Sequence, residues 1–318
     1  MNNQEKVIKM MGEVNRIILG KEELIEQVTA AFLASGHVLL EDVPGVGKTT
    51  MALAFSKAMG LESGRIQFTP DVLPSDLTGF YIYRKDIDEF VYKQGSVFCN
   101  LLLADEINRT SPKTQSALLE VMEEQQVTVD GVTKEVPNPF LVIATQNPLG
   151  SAGTQMLPSA QIDRFMICTT MGYPDFKSEI EIAKGMDSST KIDKLDSVFS
   201  IEDFLEMQQE VQKIYIDDIV YDDIVYDYIV RLVTATRENP QIKEGASPRA
   251  TISLVKMTQA ICWLQGKEFV SPNDVAKQFK AVVQHRIELN INAQVKSLDK
   301  DTVINEIIEN VEKPKIWK

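Results

Sequence analysis

The sequence predicts an α/β protein: a parallel sheet covered by helices on both faces, followed by a C-terminal all-helical domain. Three observations predict it. A glycine-rich loop, Pro44–Thr49, stands between a short apolar strand and a helix. Further apolar runs, Leu101–Ala104 and Leu141–Thr145, alternate with helical stretches, and continuous apolar strands spaced by helices belong to a sheet buried on both faces. After Ser200 only helical periodicity remains. A length of 318 residues is enough for two domains. The expected division is residues 1–185 for the sheet-bearing αβα domain with two hairpin inserts, a polar linker and hinge at 186–199, and a helical domain over 200–318.

In chain order, helical periodicity runs from about Glu5 to Ile18, is broken at Gly20, and resumes over Glu22–Ser35. His37–Leu40 is short, largely apolar and strand-forming, and Lys48–Met59 is the helix after the loop. Arg65–Thr69 is an expected strand and Thr114–Gln125 an expected helix. Two hairpins interrupt the plan. One pairs Tyr81–Tyr83 with Glu89–Tyr92; the other pairs Val127–Val129 with Val132–Thr133 around Asp130–Gly131, a turn pair that accepts positive φ. The later helices are expected at Ile201–Lys213, Asp223–Thr236, Pro248–Leu264 and Ser271–Glu288, the last opened by a serine cap and a proline in the first turn. Asp217–Tyr221 and Asp222–Tyr226 are tandem copies of Asp-Asp-Ile-Val-Tyr. Five residues rotate a helix by about 140° beyond one circle, so the extra copy is expected in the loop before the Asp223–Thr236 helix.

Composition narrows the function classes. Apolar residues make up 44% and charged residues 25%. The apolar runs are far too short for a membrane span, and the N-terminus lacks an apolar core of signal-peptide length, so a cytoplasmic location is expected. The net charge of −13 gives no basic footprint for nucleic acid. Cys99, Cys168 and Cys262 are scattered without paired spacing and read as small buried hydrophobes or inert thiols. His37 and His285 lie far apart in sequence and do not suggest a metal site.

The chemistry-bearing residues fall in five places. In Val43–Thr50 the glycines permit close backbone approach to phosphates, and the amides of Gly45, Val46, Gly47, Lys48 and Thr49 can line one concavity at a helix N-terminus. Pro44 and Thr50 flank that cradle. Lys48 supplies a point charge for the β- and γ-phosphates of ATP, and the Thr49 hydroxyl can ligate Mg²⁺. Asp42 stands where the usual phosphate-loop pattern has glycine, six positions before Lys48. Asp105 and Glu106 end a buried strand, where α/β sheets bind ligands. Asp105 is expected to hold Mg²⁺ through its water shell, and Glu106 to orient the attacking water. Taken alone an Asp-Glu pair is a common helix cap; behind a phosphate loop it reads as catalytic. Asn147, in Ala144–Pro148, either holds that water against the γ-phosphate or makes a turn. Arg164, in Asp163–Phe165, is an arginine finger for a neighbour's nucleotide or a partner in a local salt bridge. Arg249, after Ser247–Pro248, contacts the γ-phosphate from the lid or is a surface arginine at a helix start.

Together, EDVPGVGKT, LADEINR, PKTQSALLEVMEE, VIATQNP, LPSAQIDRF and GASPRA resemble the MoxR family of AAA+ ATPases, from about Val14 to His285. The resemblance implies a P-loop AAA+ αβα sandwich with a helical lid, assembled as a hexameric ring with Mg-ATP between subunits. It implies Walker A roles for Lys48 and Thr49, Walker B roles for Asp105 and Glu106, sensor 1 for Asn147, the finger for Arg164 and sensor 2 for Arg249. The two hairpins match the family's inserts, which face a pore or substrate. The resemblance also implies a chaperone-like role in maturing or activating protein complexes, with a partner carrying a von Willebrand factor A domain. Ser96 stands where the family has proline, and the Asp217–Tyr226 duplication adds a copy within the lid. Two other classes stay open. A nucleic-acid motor would need a basic pore, for which the inserts offer Arg84, Lys85, Lys93 and Lys134 among acids. A nucleotide-gated scaffold with little turnover would have no use for an intact Glu106. The related magnesium chelatase ATPase subunit shares the architecture, and no residue here selects it. Phe80 and Tyr81 suit a threading loop, though an aromatic in a hairpin more often packs across strands.

Overall fold

Alternation along short apolar strands builds the molecule around one sheet. The computed structural model describes residues 1–42, 45–147, 156–184, 192–216 and 223–314. Helices α1 (Asn3–Asn15) and α2 (Glu22–Leu33) lead into strand β1 (Val38–Glu41) and helix α3 (Lys48–Ala58). Then follow β2 (Ser63–Gln67), α4 (Pro74–Thr78), the hairpin β3 (Phe80–Arg84) and β4 (Glu89–Lys93), β5 (Leu101–Asp105), α5 (Pro112–Glu124), the hairpin β6 (Gln126–Val129) and β7 (Val132–Glu135), and β8 (Leu141–Gln146). Short α6 (Ser159–Ile162), β9 (Ile167–Thr169) and α7 (Phe176–Ala183) complete this part.

The sheet order is β2-β5-β8-β1-β9, and every pairing in it is parallel. Successive side chains on a strand face opposite ways, which divides the apolar strand residues into two cores. Leu40, Leu103, Ile143 and Ile167 join one core. Leu39, Leu102, Val142 and Cys168 join the other, with residues of α4, α5 and the β6–β7 hairpin. Both hairpins form as expected, each longer by one or two residues per strand.

The C-terminal part holds α8 (Ile201–Gln212), α9 (Ile224–Glu238), β10 (Ile242–Glu244), α10 (Pro248–Leu264), α11 (Pro272–Val283), β11 (Glu288–Leu289), α12 (Ile291–Val295) and α13 (Lys300–Asn310). Serine and aspartate caps start α8, α10, α11 and α13, each satisfying a helix amide that would otherwise lack a partner.

Four features differ from the sequence expectation. The helical part carries a two-stranded antiparallel ribbon, β10–β11. The helix expected to reach Glu288 stops at Val283, and Glu288 enters that ribbon. Strand β9 went unread: three residues give no periodicity, and its strand character comes from pairing with β1. The expected linker is packed where it is described: Ile192 and Phe199 are buried, and the Val198 N–H donates to the Ala58 carbonyl at 2.8 Å. Residues 186–191 of that linker and 217–222 of the tandem repeat lie outside the described residues.

The core on the α1–α3 side of the sheet runs on into the helical part without a break. Polar side chains reinforce that join. Gln208 Nε2 donates to the Phe32 carbonyl at 2.8 Å, Gln4 Nε2 to the Trp263 carbonyl at 2.9 Å, and Lys6 pairs with Asp203 at 2.8 Å. Among the described residues no helix is long and apolar enough to cross a membrane.

Candidate functional site

The phosphate loop leaves β1 at its carboxyl end. Gly45 and Gly47 have φ of +88° and +99°, conformations that cost a side-chain-bearing residue free energy. Among the described residues nothing lies within 4 Å of where a Gly45 Cβ would stand, so within the chain it is the backbone conformation that favours glycine there. Gly47 is the N-cap of α3, with Lys48, Thr49 and Thr50 on its first turn and Val46 inside the loop. Helix amides and dipole therefore face the same space as Lys48. Lys48 is buried, and its Nζ donates to the Asp42 carbonyl at 3.2 Å. Pro44 lies outside the described residues.

Asp42, the departure from the usual loop pattern, has a local role. Its buried carboxylate accepts the Met171 N–H and, at 3.0 Å, the Gly172 N–H. It ties the loop's entrance to the chain leaving β9, a job for an acceptor side chain that glycine cannot do.

The acidic pair is held from the neighbouring strand. The Thr145 hydroxyl donates to Asp105 Oδ1 at 2.7 Å and accepts the Glu106 N–H at 2.8 Å. One side chain thus sets the carboxylate of the first acid and the backbone of the second, which sits at φ +57°. From the edge strand, Arg65 donates to Asp105 Oδ2 at 3.0 Å and to Gln67 Oε1 at 3.2 Å. Gln67 Nε2 donates to Glu106 Oε2 at 2.9 Å, and Arg109 donates to the same oxygen at 2.7 Å. Asn147 follows β8 at the same edge; its carbonyl accepts from Asn108 Nδ2 at 3.1 Å. Lys48, Thr49, Asp105, Glu106 and Asn147 therefore share the carboxyl edge of the sheet.

Arg164 and Arg249 do not join them. Met166 N–H donates to the His37 carbonyl at 2.8 Å, which fixes the Arg164 segment at the amino end of β1. At ~3.3 Å per residue, the length of β1 puts ~13 Å between that end and Glu41. Both arginines converge on Glu123, at the end of α5: Arg164 to Oε2 at 3.3 Å and Arg249 to Oε1. Two clefts flank the cluster. One, of about 230 Å³, is lined by Glu120, Glu123, Gln161 and Arg164. The other, of about 150 Å³, is lined by His37, Asp163, Arg249 and Ser253 among others.

Under the cluster lies buried His37. Its Nδ1 accepts the Val142 N–H at 3.1 Å, which places the ring proton on Nε2, facing the Met122 carbonyl at 3.1 Å. Burial pushes its pKa down to about 4. The three cysteines are buried and free, and burial raises each thiol, Cys99 and Cys262 to about 12. They fit the inert reading.

Sequence reasoning missed Arg65, Gln67, Thr145 and Glu123. Thr145 and Gln67 carried a weak signal as polar residues at the carboxyl ends of strands, the end where ligands bind. Glu123 carried none, since its partners lie 41 and 126 positions away.

Residues 37–167 match the family described as "ATPase family associated with various cellular activities (AAA)", and residues 234–307 match the "AAA lid domain". The chain is 44% identical over 318 residues to the "Uncharacterized protein YeaC" of Bacillus subtilis, covering 99% of this chain and 98% of that one. It is 40% identical over 313 residues to "Chaperone MoxR1" of Mycobacterium tuberculosis, covering 96% and 81%. A crystal structure of a Cytophaga hutchinsonii protein superposes with a TM-score of 0.89 at 37% identity, covering 98% and 96%.

Proposed function

This chain belongs to the MoxR family of AAA+ ATPases and is an ATP-hydrolysing enzyme, and from that premise we propose that it works as a Mg-ATP-driven ring that remodels protein complexes. The observation that carries the ring is the separation of the two edges. Lys48 and Glu106 sit at the carboxyl edge, while Arg164 and Arg249 sit together at the amino edge, where both pair with Glu123. Within one chain, two arginines at that edge have no phosphate to serve. In a ring they serve the nucleotide of the next subunit, and the flanking clefts leave them open to it.

The geometry supports the following division of labour. The amides from Gly45 onward and Lys48 cradle the phosphates. Thr49 and Asp105 present oxygen donors of the hard kind Mg²⁺ prefers, and a Mg²⁺ site of this sort relies on substrate phosphates and water for its other ligands. When bound, Mg²⁺ neutralises charge between the phosphates. Glu106 orients the attacking water once its carboxylate leaves Gln67 and Arg109, and Asn147 steadies that water. Arg164, with Arg249, meets the negative charge that develops on the transferred group. We place the domain division at residues 1–185 and 200–318, with 186–199 between them.

The remodelling role draws on the name of the mycobacterial relative and on the exposed hairpin β3–β4, where Phe90 is 71% exposed beside Ile82 and Tyr83. A partner with a von Willebrand factor A domain follows from the family resemblance. ATP turnover measured against protein concentration, with Arg164→Ala beside wild type, tests the shared site. Specific activity should rise with concentration and fall on the order of 10³-fold in the variant, while nucleotide binding persists. Turnover independent of concentration and indifferent to Arg164 would leave a monomeric switch.

A further inference from the structure

Arg286 follows α11 and points into the join between the sheet and the helical part. Its side chain is 1% exposed, and its ion-pair partner Asp163 13%. The guanidinium Nε donates to Asp163 Oδ1 at 2.8 Å. The two terminal nitrogens donate to the carbonyls of Asp163 at 3.1 Å, Phe165 at 2.6 Å, Met166 at 3.2 Å and Val282, and to Ser253 Oγ at 3.1 Å. The acceptors come from three places: the segment 163–166, helix α10 and helix α11.

The carboxylate of Asp163 is shared. Its Oδ2 accepts from Ser247 Oγ at 2.7 Å, and that hydroxyl accepts the Arg249 N–H at 3.1 Å as the cap of α10. Asp163 is the residue before Arg164, and Ser247 is two before Arg249. The two arginine-bearing backbones are therefore joined through one carboxylate, and Arg286 holds that carboxylate and three carbonyls around it. On the outside, the same two arginines meet the two oxygens of Glu123.

A buried ion pair is a poor way to gain stability, because apolar side chains of the same volume do as well or better. What the planar guanidinium supplies is direction: five N–H groups in a fixed fork, set by acceptors on separate segments. We propose that Arg286 is a positioning residue for catalysis, locking Arg164 and Arg249 into one two-armed grip that closes on a single phosphoryl group of the neighbouring subunit's nucleotide. Glu123, whose two oxygens face one arginine each, occupies that grip in the single chain. The inference rests on the proposed role of Arg164 at a shared site.

Steady-state ATP turnover of the full chain tests it, in wild type, Arg286→Lys, Arg164→Ala and the double variant, with thermal melting as the check of folding. Lysine keeps the charge and loses the fork. Arg286→Lys should lower kcat on the order of 10- to 10²-fold, the scale of a misplaced catalytic group. KM for ATP should hold within about twofold, since the lost interaction belongs to the transition state. In the Arg164→Ala background the same change should alter kcat by no more than about twofold, because the two act as a unit. A merely structural Arg286 would multiply the losses instead, and that outcome overturns the inference. So does wild-type kcat in Arg286→Lys when Arg164→Ala is impaired, which leaves the shared site standing. Wild-type turnover in Arg164→Ala overturns both. If Arg286→Lys does not fold, Ser247→Ala decides, since it cuts the link between the arginines while leaving the ion pair. A several-fold drop in kcat that disappears in the Arg249→Ala background supports the grip, and unchanged turnover overturns it.

Discussion

The two edges of the sheet are built on opposite plans. At the carboxyl edge each functional group sits in a short run that closes or follows a strand and contains its whole motif: Gly45 to Thr50 after β1, Asp105–Glu106 at the end of β5, Asn147 after β8. At the amino edge the groups come from the end of α5, the segment before β9, the start of α10 and the end of α11, and they meet through side chains. The first plan takes its placement from the backbone of strand and loop, with the ion pairs Arg65–Asp105 and Arg109–Glu106 added between near neighbours. The second uses charge pairs that hold two structural units in register.

The largest expected difference between the edges lies in turnover. Glu106→Gln keeps the volume of the side chain and an oxygen to accept from Gln67 and Arg109, so the carboxyl edge should fold unchanged. The lost carboxylate should lower kcat on the order of 10²- to 10⁴-fold, the usual scale for a positioned base, with ATP still bound. Turnover as fast as wild type would remove Glu106 from the chemistry and leave Asp105 as the working acid.

A second difference appears with acid. The amino edge rests on neutral His37, whose pKa falls from 6.5 to about 4 on burial. Because the folded-state value is depressed, the unfolded chain binds the extra proton between those two values, so stability falls as pH drops from 6.5 towards 4. Some 2.5 units correspond to about 3 kcal/mol at the lower end. His285, pushed well below its ordinary value by burial and then by Arg286, acts in the same direction. Chemical denaturation between pH 7 and pH 4.5 should show that loss. His37→Gln, which keeps a donor for the Met122 carbonyl and removes the titration, should show a shallower slope. An equal slope in both would clear His37.

The same contrast explains what could be read from the sequence. The parallel sheet, the hairpins and the carboxyl-edge residues were legible because each is local: a strand alternates, a loop turns at Gly45 and Gly47, an acid follows a buried run. The helical domain was legible in the same way, from its periodicity, and the family resemblance then implied roles for it and for the hairpins as lid and inserts. Strand β9 was not legible because its three residues gain strand character only against β1. The β10–β11 ribbon was hidden because 46 positions separate Ile242 and Glu288 in the chain. The meeting of Arg164 and Arg249 on Glu123 was hidden for the same reason. Each arginine was visible as a candidate, and their sharing of one carboxylate is a tertiary fact.

The smallest expected effect sharpens the comparison furthest. Glu123 is 41% exposed, and pairs at such a site each contribute roughly 0.2–1 kcal/mol. Glu123→Gln should therefore leave the melting temperature within about 2 °C of wild type. Its effect on turnover carries more information. If Glu123 only holds the arginines until a neighbour's phosphate replaces it, removing its charge eases their transfer, and turnover rises by at most about fivefold, the equivalent of ~1 kcal/mol. If Glu123 instead keeps the grip in shape during hydrolysis, Glu123→Gln falls towards the turnover of Arg164→Ala. A modest rise marks the amino edge as waiting for a partner, with the intramolecular carboxylate standing in for the phosphoryl group. A fall marks it as a finished site that needs its carboxylate throughout the cycle.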